Sequence, residues 1–151
     1  MPSERARVIG LLDAFQAAER AGAEAIAGWI SACGDDRLRA GLRVIRTRDR
    51  RHAALAEGRL RALGAEPRAH VSRDLAALCG VVADPGVSDH SKIDLLLGRV
   101  PPNSDSPLAE FARAIEDDAE TRALFESIAD DERSSLRWLH RMRAALVEGA
   151  R

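Results

Sequence analysis

Apolar residues recur at steps of three and four along three long stretches of this 151-residue chain. The first stretch reads Val8, Leu11, Phe15, Ala18 or Glu19, Gly22, Ile26, and Trp29 or Ile30. The second reads Leu38, Leu42, Ile45, Asp49, His52, Ala56, Leu60 and Leu63, and the third Phe125, Ile128, Glu132, Ser135, Leu139, Met142 and Leu146. Such spacing places every member of a set on one face of an α-helix. It predicts helices over about 3–32, 36–63, and from 118 or 119 to 147. Cys33-Gly34-Asp35-Asp36 reads as the turn between the first two, with Gly34 as C-cap and Asp35 or Asp36 as N-cap. Gly64-Ala65-Glu66-Pro67 stops the second helix, with Gly64 at the first position beyond its cap and proline following. Two long helices joined so tightly predict an antiparallel hairpin.

The middle of the chain is less regular. Residues 72–82 form a helical pattern with Ser72 as N-cap, and Asp84-Pro85-Gly86 breaks it. A second piece over 89–100 places Ile93, Leu96, Leu97 and Val100 on one side. Pro101-Pro102-Asn103-Ser104-Asp105-Ser106-Pro107 interrupts, and helix resumes over 108–116. No strand-like alternation of useful length occurs. The expected fold is all-α in a single domain: a hairpin over 3–64, a crossover with short helices over 65–107, and a second half over 108–147.

The second and third stripes share a register. An offset of 83 carries 42, 45, 49, 52, 56 and 63 onto 125, 128, 132, 135, 139 and 146, which suggests an old duplication of a helical hairpin. Both helices therefore turn polar groups inward at one level, Asp49 and His52 on one, Glu132 and Ser135 on the other. Glu19 shares the inner face of the first helix, four residues after Phe15. It lies about 14 residues before the turn and His52 about 17 after it, so at ~1.5 Å per residue they reach similar heights. A buried carboxylate without a partner costs several kcal/mol, roughly. A metal ion is the sharpest candidate for what compensates.

Composition narrows the partners. Apolar residues make up 46% and charged ones 31%, with a net charge of −1, which is globular and gives no support for nucleic-acid binding or steering to acidic membranes. The chain holds 22 Arg to one Lys, but Arg alternates with Asp and Glu. Aromatic content of 3% fits Ala/Leu-rich helix packing. No segment approaches the ~20 apolar residues of a membrane span. The first residues lack the apolar core of a secretion signal, so a cytoplasmic location is the expectation. Cys33 and Cys79 show no metal or redox spacing and read as reduced packing residues.

A carboxylate on one helix with an acid-x-x-His on its partner, echoed in a second hairpin, resembles the ferritin-like and rubrerythrin-like bundles. Residues 124–133, with Ile128 three residues before Asp131-Glu132, look like the last helix of such proteins, and 51–55 like the second. The resemblance covers most of 3–64 and 108–147 and implies an antiparallel four-helix bundle that holds two iron or manganese ions. It assigns Glu19 as first-helix ligand, Asp49 where Glu is usual, His52 as the histidine ligand and Glu132 as the last-helix bridging carboxylate. Ser135 stands in place of the second histidine. The third-helix acid falls near 102, where Pro101 and Pro102 stand; Asp94, Glu110 and Glu116 are the substitutes within reach. Six ligands of a dinuclear site thus reduce to four, Glu19, Asp49, His52 and Glu132, enough for a single Fe, Mn or Zn ion completed by water.

Two readings follow. The incomplete site makes the protein a non-catalytic interaction or dimerisation module, with the cluster as a buried polar network around a protonated His52 that Arg48, Arg51 or Arg133 could join. Alternatively, a remodelled site between the first, second and last helices makes it a metal-binding oxidoreductase or iron-handling protein of unknown small-molecule substrate. The remaining polar residues take plainer roles. Ser135 is expected to pack and bond its own helix backbone. His140 points off the stripe, and His70 and His90 sit in linker regions as surface or capping residues. Trp29 and Trp138 are core or interface anchors, 46–51 is a solvated arginine face with an anion site as the alternative, and Asp117-Asp118 and Asp130-Asp131 are terminal and surface charge.

Overall fold

The computed structural model describes residues 1–100 and 106–149. Among them lie six helices and no strand: α1 (Glu4–Ala32), α2 (Asp36–Ala62), α3 (Arg73–Ala83), α4 (Asp89–Gly98), α5 (Pro107–Arg113) and α6 (Ala119–Gly149). The all-α class is therefore shown, and no described helix is long and apolar enough to cross a membrane. The expected interruption at Pro101-Pro102-Asn103-Ser104-Asp105, and with it the position of the third-helix acid, lies outside the described residues.

Side-chain contacts fix the helix directions. Arg20 pairs with Glu57, and Arg5 near the start of α1 reaches the Leu63 carbonyl beyond the end of α2, so these two run antiparallel. Arg59 near the end of α2 binds Asp118 at 2.9 Å and the Thr121 hydroxyl at 3.0 Å, at the start of α6, which makes α6 antiparallel to α2. It is parallel to α1: Phe15 and Phe125 meet edge to face at 5.7 Å. Both α4 and α5 oppose α6 in one register, through Asp94–Arg143 at 2.8 Å and Ser106–Glu132 at 3.2 Å. They therefore follow one another along α6.

Caps explain most of the boundaries. Asp35, Ser72, Ser88 and Ser106 each accept a backbone N–H two or three residues into the helix they open. Asp118 does the same for α6, accepting from Thr121 N–H at 2.9 Å. Gly64 takes φ +82 after α2, and Ala65 N–H bonds Leu60 carbonyl at 3.2 Å while Gly64 N–H bonds Arg61 at 2.9 Å. That is the paired Schellman closure the glycine was expected to make.

Three details differ from the expectation. Gly34 is not the C-cap of α1; extended Cys33 is, because the Gly34 N–H is held by the Asp89 carboxylate at 3.2 Å. Leu12 is buried where Leu11 was expected, and Leu11 is half-buried. The stripe of a 29-residue helix winds gradually around its axis, so the apolar arc includes both neighbours. Finally, α5 stops at Arg113 rather than 116, and the N–H groups of Glu116 and Asp117 are taken by the Glu4 carboxylate at 3.0 and 2.8 Å.

The core falls into two apolar clusters. One gathers Ile26, Trp29, Leu38, Leu42, Ile93, Leu97, Leu139 and Met142. The other gathers Val8, Leu12, Phe15, Leu60, Leu108, Ala112, Phe125 and Ile128. Along α1, α2 and α6 the residues between them are Glu19, Asp49 with His52, and Glu132 with Ser135. A polar layer thus divides the apolar interior. Both tryptophans are anchors, as their positions implied. Trp29 is fully buried and donates to Asp89 at 2.8 Å, whereas half-buried Trp138 packs its indole against α2 at Gly41. A Cβ at Gly41 would coincide with that indole. Gly41→Ala gains about 1 kcal/mol of helix propensity but overpacks the contact, which costs about 1–3 kcal/mol. The expected result is a net loss of about 1 kcal/mol in urea unfolding, and a stabilised variant would contradict the contact.

Candidate metal centre

Four of the polar-layer side chains come from three helices. Glu19 on α1 is 14% exposed at its side chain and His52 on α2 only 3%. One ligand atom each from Glu19, Asp49 and His52 lie within 4.8 Å of one another. Asp49 faces α1 where it carries no side chain: a Cβ at Gly22 would stand 3.8 Å from Asp49 Oδ2. Glu132 on α6 is half-buried and accepts a hydrogen bond from the Ser106 hydroxyl at 3.2 Å. It lies within electrostatic reach of Glu19, Asp49 and His52 without joining the tight trio.

The orientation of the imidazole is the informative feature. His52 Nε2 meets Asp131 Oδ2 at 2.9 Å. With Nε2 donating its hydrogen there, Nδ1 presents a lone pair toward the layer. It faces Glu19 Oε2 at 3.5 Å, yet neither atom has a hydrogen-bond partner. Two buried acceptors aimed at each other, with a second carboxylate beside them, repel unless a proton or cation lies between. A carboxylate that holds the far nitrogen of a histidine is the usual support for a metal-binding near nitrogen.

Charge in the layer is correspondingly strained. Burial, then the Glu19 carboxylate, pushes the Asp49 carboxyl up to about 8 from 3.8. Burial and again Glu19 push Glu132 up to about 7 from 4.5, against the opposing Ser106 hydrogen bond and the charges of His52 and Arg133. Burial works against the charged form of His52, but the Glu19 and Asp131 carboxylates overcome it and raise its pKa above the ordinary 6.5. Two acids, Asp49 and Glu132, and one imidazole thus retain protons that a divalent cation would displace. The donor set, carboxylate oxygens with one imidazole nitrogen, suits Fe(II), Mn(II) or Zn(II) and fits the orphaned atoms.

Three sequence expectations are corrected here. Asp131 is more than surface charge: its side chain remains 36% exposed but also holds His52. Its signal was present, since 128, 131 and 135 also keep the three-and-four step. Ser135 does not read simply as packing against its own helix: its hydroxyl accepts from the Arg48 guanidinium at 3.1 Å. And His90 lies in the first turn of α4, paired with Asp94 at 3.2 Å, rather than in a linker, although it is the surface residue expected. Of the substitute third-helix acids, Asp94 pairs with His90 and Arg143, and Glu110 and Glu116 are exposed, so none enters the layer. Cys33 and Cys79 are free thiols, as expected. No protein-family model, curated protein or solved structure matches this chain.

Proposed function

We propose that this chain is a metal-binding protein of ferritin-like type, an antiparallel four-helix bundle in which α4 and α5 together serve as the third helix. Its polar layer takes one divalent ion, of the Fe(II), Mn(II) or Zn(II) class by donor chemistry, on Glu19, Asp49 and His52, with Glu132 completing the set. The observation that carries this reading is the pair of buried polar atoms without a hydrogen-bond partner, Glu19 Oε2 and His52 Nδ1, facing each other at 3.5 Å beside Asp49. Asp131 orients the imidazole from behind. The helix directions support the topology, because α1 and α2 form a hairpin and α4, α5 and α6 a second one along a common register. When bound, the ion would supply Lewis-acid or one-electron chemistry. The chain's own part is to hold it between two dry clusters and to release the protons now kept on Asp49 and Glu132.

Metal analysis tests this directly. The protein is purified without chelator, loaded anaerobically with Fe(II) or with Mn(II), and dialysed. About one ion per chain is expected in the wild type, falling below ~0.1 in His52→Ala, in the manner of sites that lose a ligand. An unloaded wild type would leave the layer a proton-holding network and favour the interaction-module reading.

A further inference from the structure

We propose that the Arg48 guanidinium is a fixed cation in the other half of the polar layer, and that it limits the layer to a single metal ion. This rests on the metal reading above. The offset of 83 carries His52 onto Ser135 and also Arg48 onto Asp131. The structure joins these four residues in two matching pairs across α2 and α6: His52 with Asp131 at 2.9 Å, and Arg48 with Ser135 at 3.1 Å. Each pair is the other's mate under exchange of the two helices. Where one has a carboxylate holding an imidazole, the other has a guanidinium holding a hydroxyl.

The exchange changes the chemistry at that half in two ways. Ser135 offers a neutral oxygen where its mate offers a nitrogen with metal affinity. Arg48 offers only donors and a fixed positive charge where its mate is a carboxylate. The half-site therefore loses a ligand and gains a charge that repels a second cation. The Ser135 hydroxyl, by accepting from Arg48, holds the guanidinium against α6 instead of leaving it to solvent. Arg48 is a positioning residue in this scheme, and what it sets is stoichiometry.

The test restores the mate. Arg48→Asp with Ser135→His reproduces at 48 and 135 the residue types at 131 and 52. Mn(II) titration with electron paramagnetic resonance reads both number and proximity of ions. The double variant should bind about two Mn(II) per chain with a spin-coupled spectrum, against one isolated ion in the wild type. Ser135→His alone should stay at one, because the guanidinium remains. One isolated ion in the folded double variant overturns this inference and leaves the metal reading intact; no ion in the wild type removes both. Should the double variant fail to fold, Arg48→Gln decides: loss of the fixed charge should tighten Mn(II) binding by about three- to ten-fold, and unchanged affinity overturns the proposal.

Discussion

Replacing Asp49 by asparagine should stabilise the metal-free protein at pH 8 and above, and the gain should shrink toward zero as the pH falls to about 4. The carboxyl of Asp49 stands at about 8 in the folded chain against an ordinary 3.8, through burial first and the Glu19 carboxylate second. An acid whose folded value is raised binds more protons folded than unfolded across that window, so folding loses free energy as pH rises through it. Each unit corresponds to about 1.4 kcal/mol, and the full penalty is on the order of several kcal/mol. Glu132, raised to about 7 from 4.5, acts in the same direction over its own window. His52, raised above 6.5, contributes stability that is present below 6.5 and lost as pH rises through its folded value. All three slopes have one sign. The metal-free wild type should therefore weaken from pH 5 to pH 8 in urea unfolding, by roughly 3 kcal/mol or more. Asp49→Asn should flatten most of that slope. A wild type equally stable at both pH values would contradict the buried, mutually repelling acids.

Adding Mn(II) should reverse the trend. An ion at one hundred times its dissociation constant stabilises the folded state by about 2.7 kcal/mol, which for a domain of this size is about 5–10 °C in the unfolding midpoint. The shift should be larger at pH 8 than at pH 6, since the ion must displace protons from Asp49 and Glu132. It should vanish in His52→Ala and in Asp49→Asn. Asp131→Ala should lower affinity by about 10- to 100-fold while keeping the fold, as expected for a residue that orients a ligand without being one. An equal thermal shift in wild type and His52→Ala would place binding elsewhere on the molecule.

Much of this arrangement is legible in the residues themselves. Three stripes at helical spacing, the closure at Gly64 and the caps at Asp35 and Ser72 follow from local chemistry, which the tertiary structure left in force. The inward level of Glu19, Asp49 and His52 follows from the same spacing, because a polar residue inside an apolar stripe has nowhere else to point. What was hidden depends on the angle at which a helix meets its neighbours. Asp131 and Glu132 are adjacent, both fall within the arc of α6 that faces inward, and only the position of α2 decides that Asp131 meets His52. Lys92, the chain's one lysine, is 1% exposed, with its ammonium 5.7 Å from the Trp29 ring centre. Burial holds its pKa below the ordinary 10.5, against the pull of Asp89 and Asp84. It lies one residue before Ile93 on α4, and only the docking of α4 against Trp29 turns it inward.

Anomalous diffraction at the manganese edge, from crystals grown with Mn(II), tests the metal centre most directly. One strong peak within bonding distance of Glu19, Asp49 and His52, with His52 Nδ1 as the nitrogen ligand and none beside Ser135, is the predicted result. A layer without a peak, with His52 and Glu19 joined by a proton alone, would contradict it.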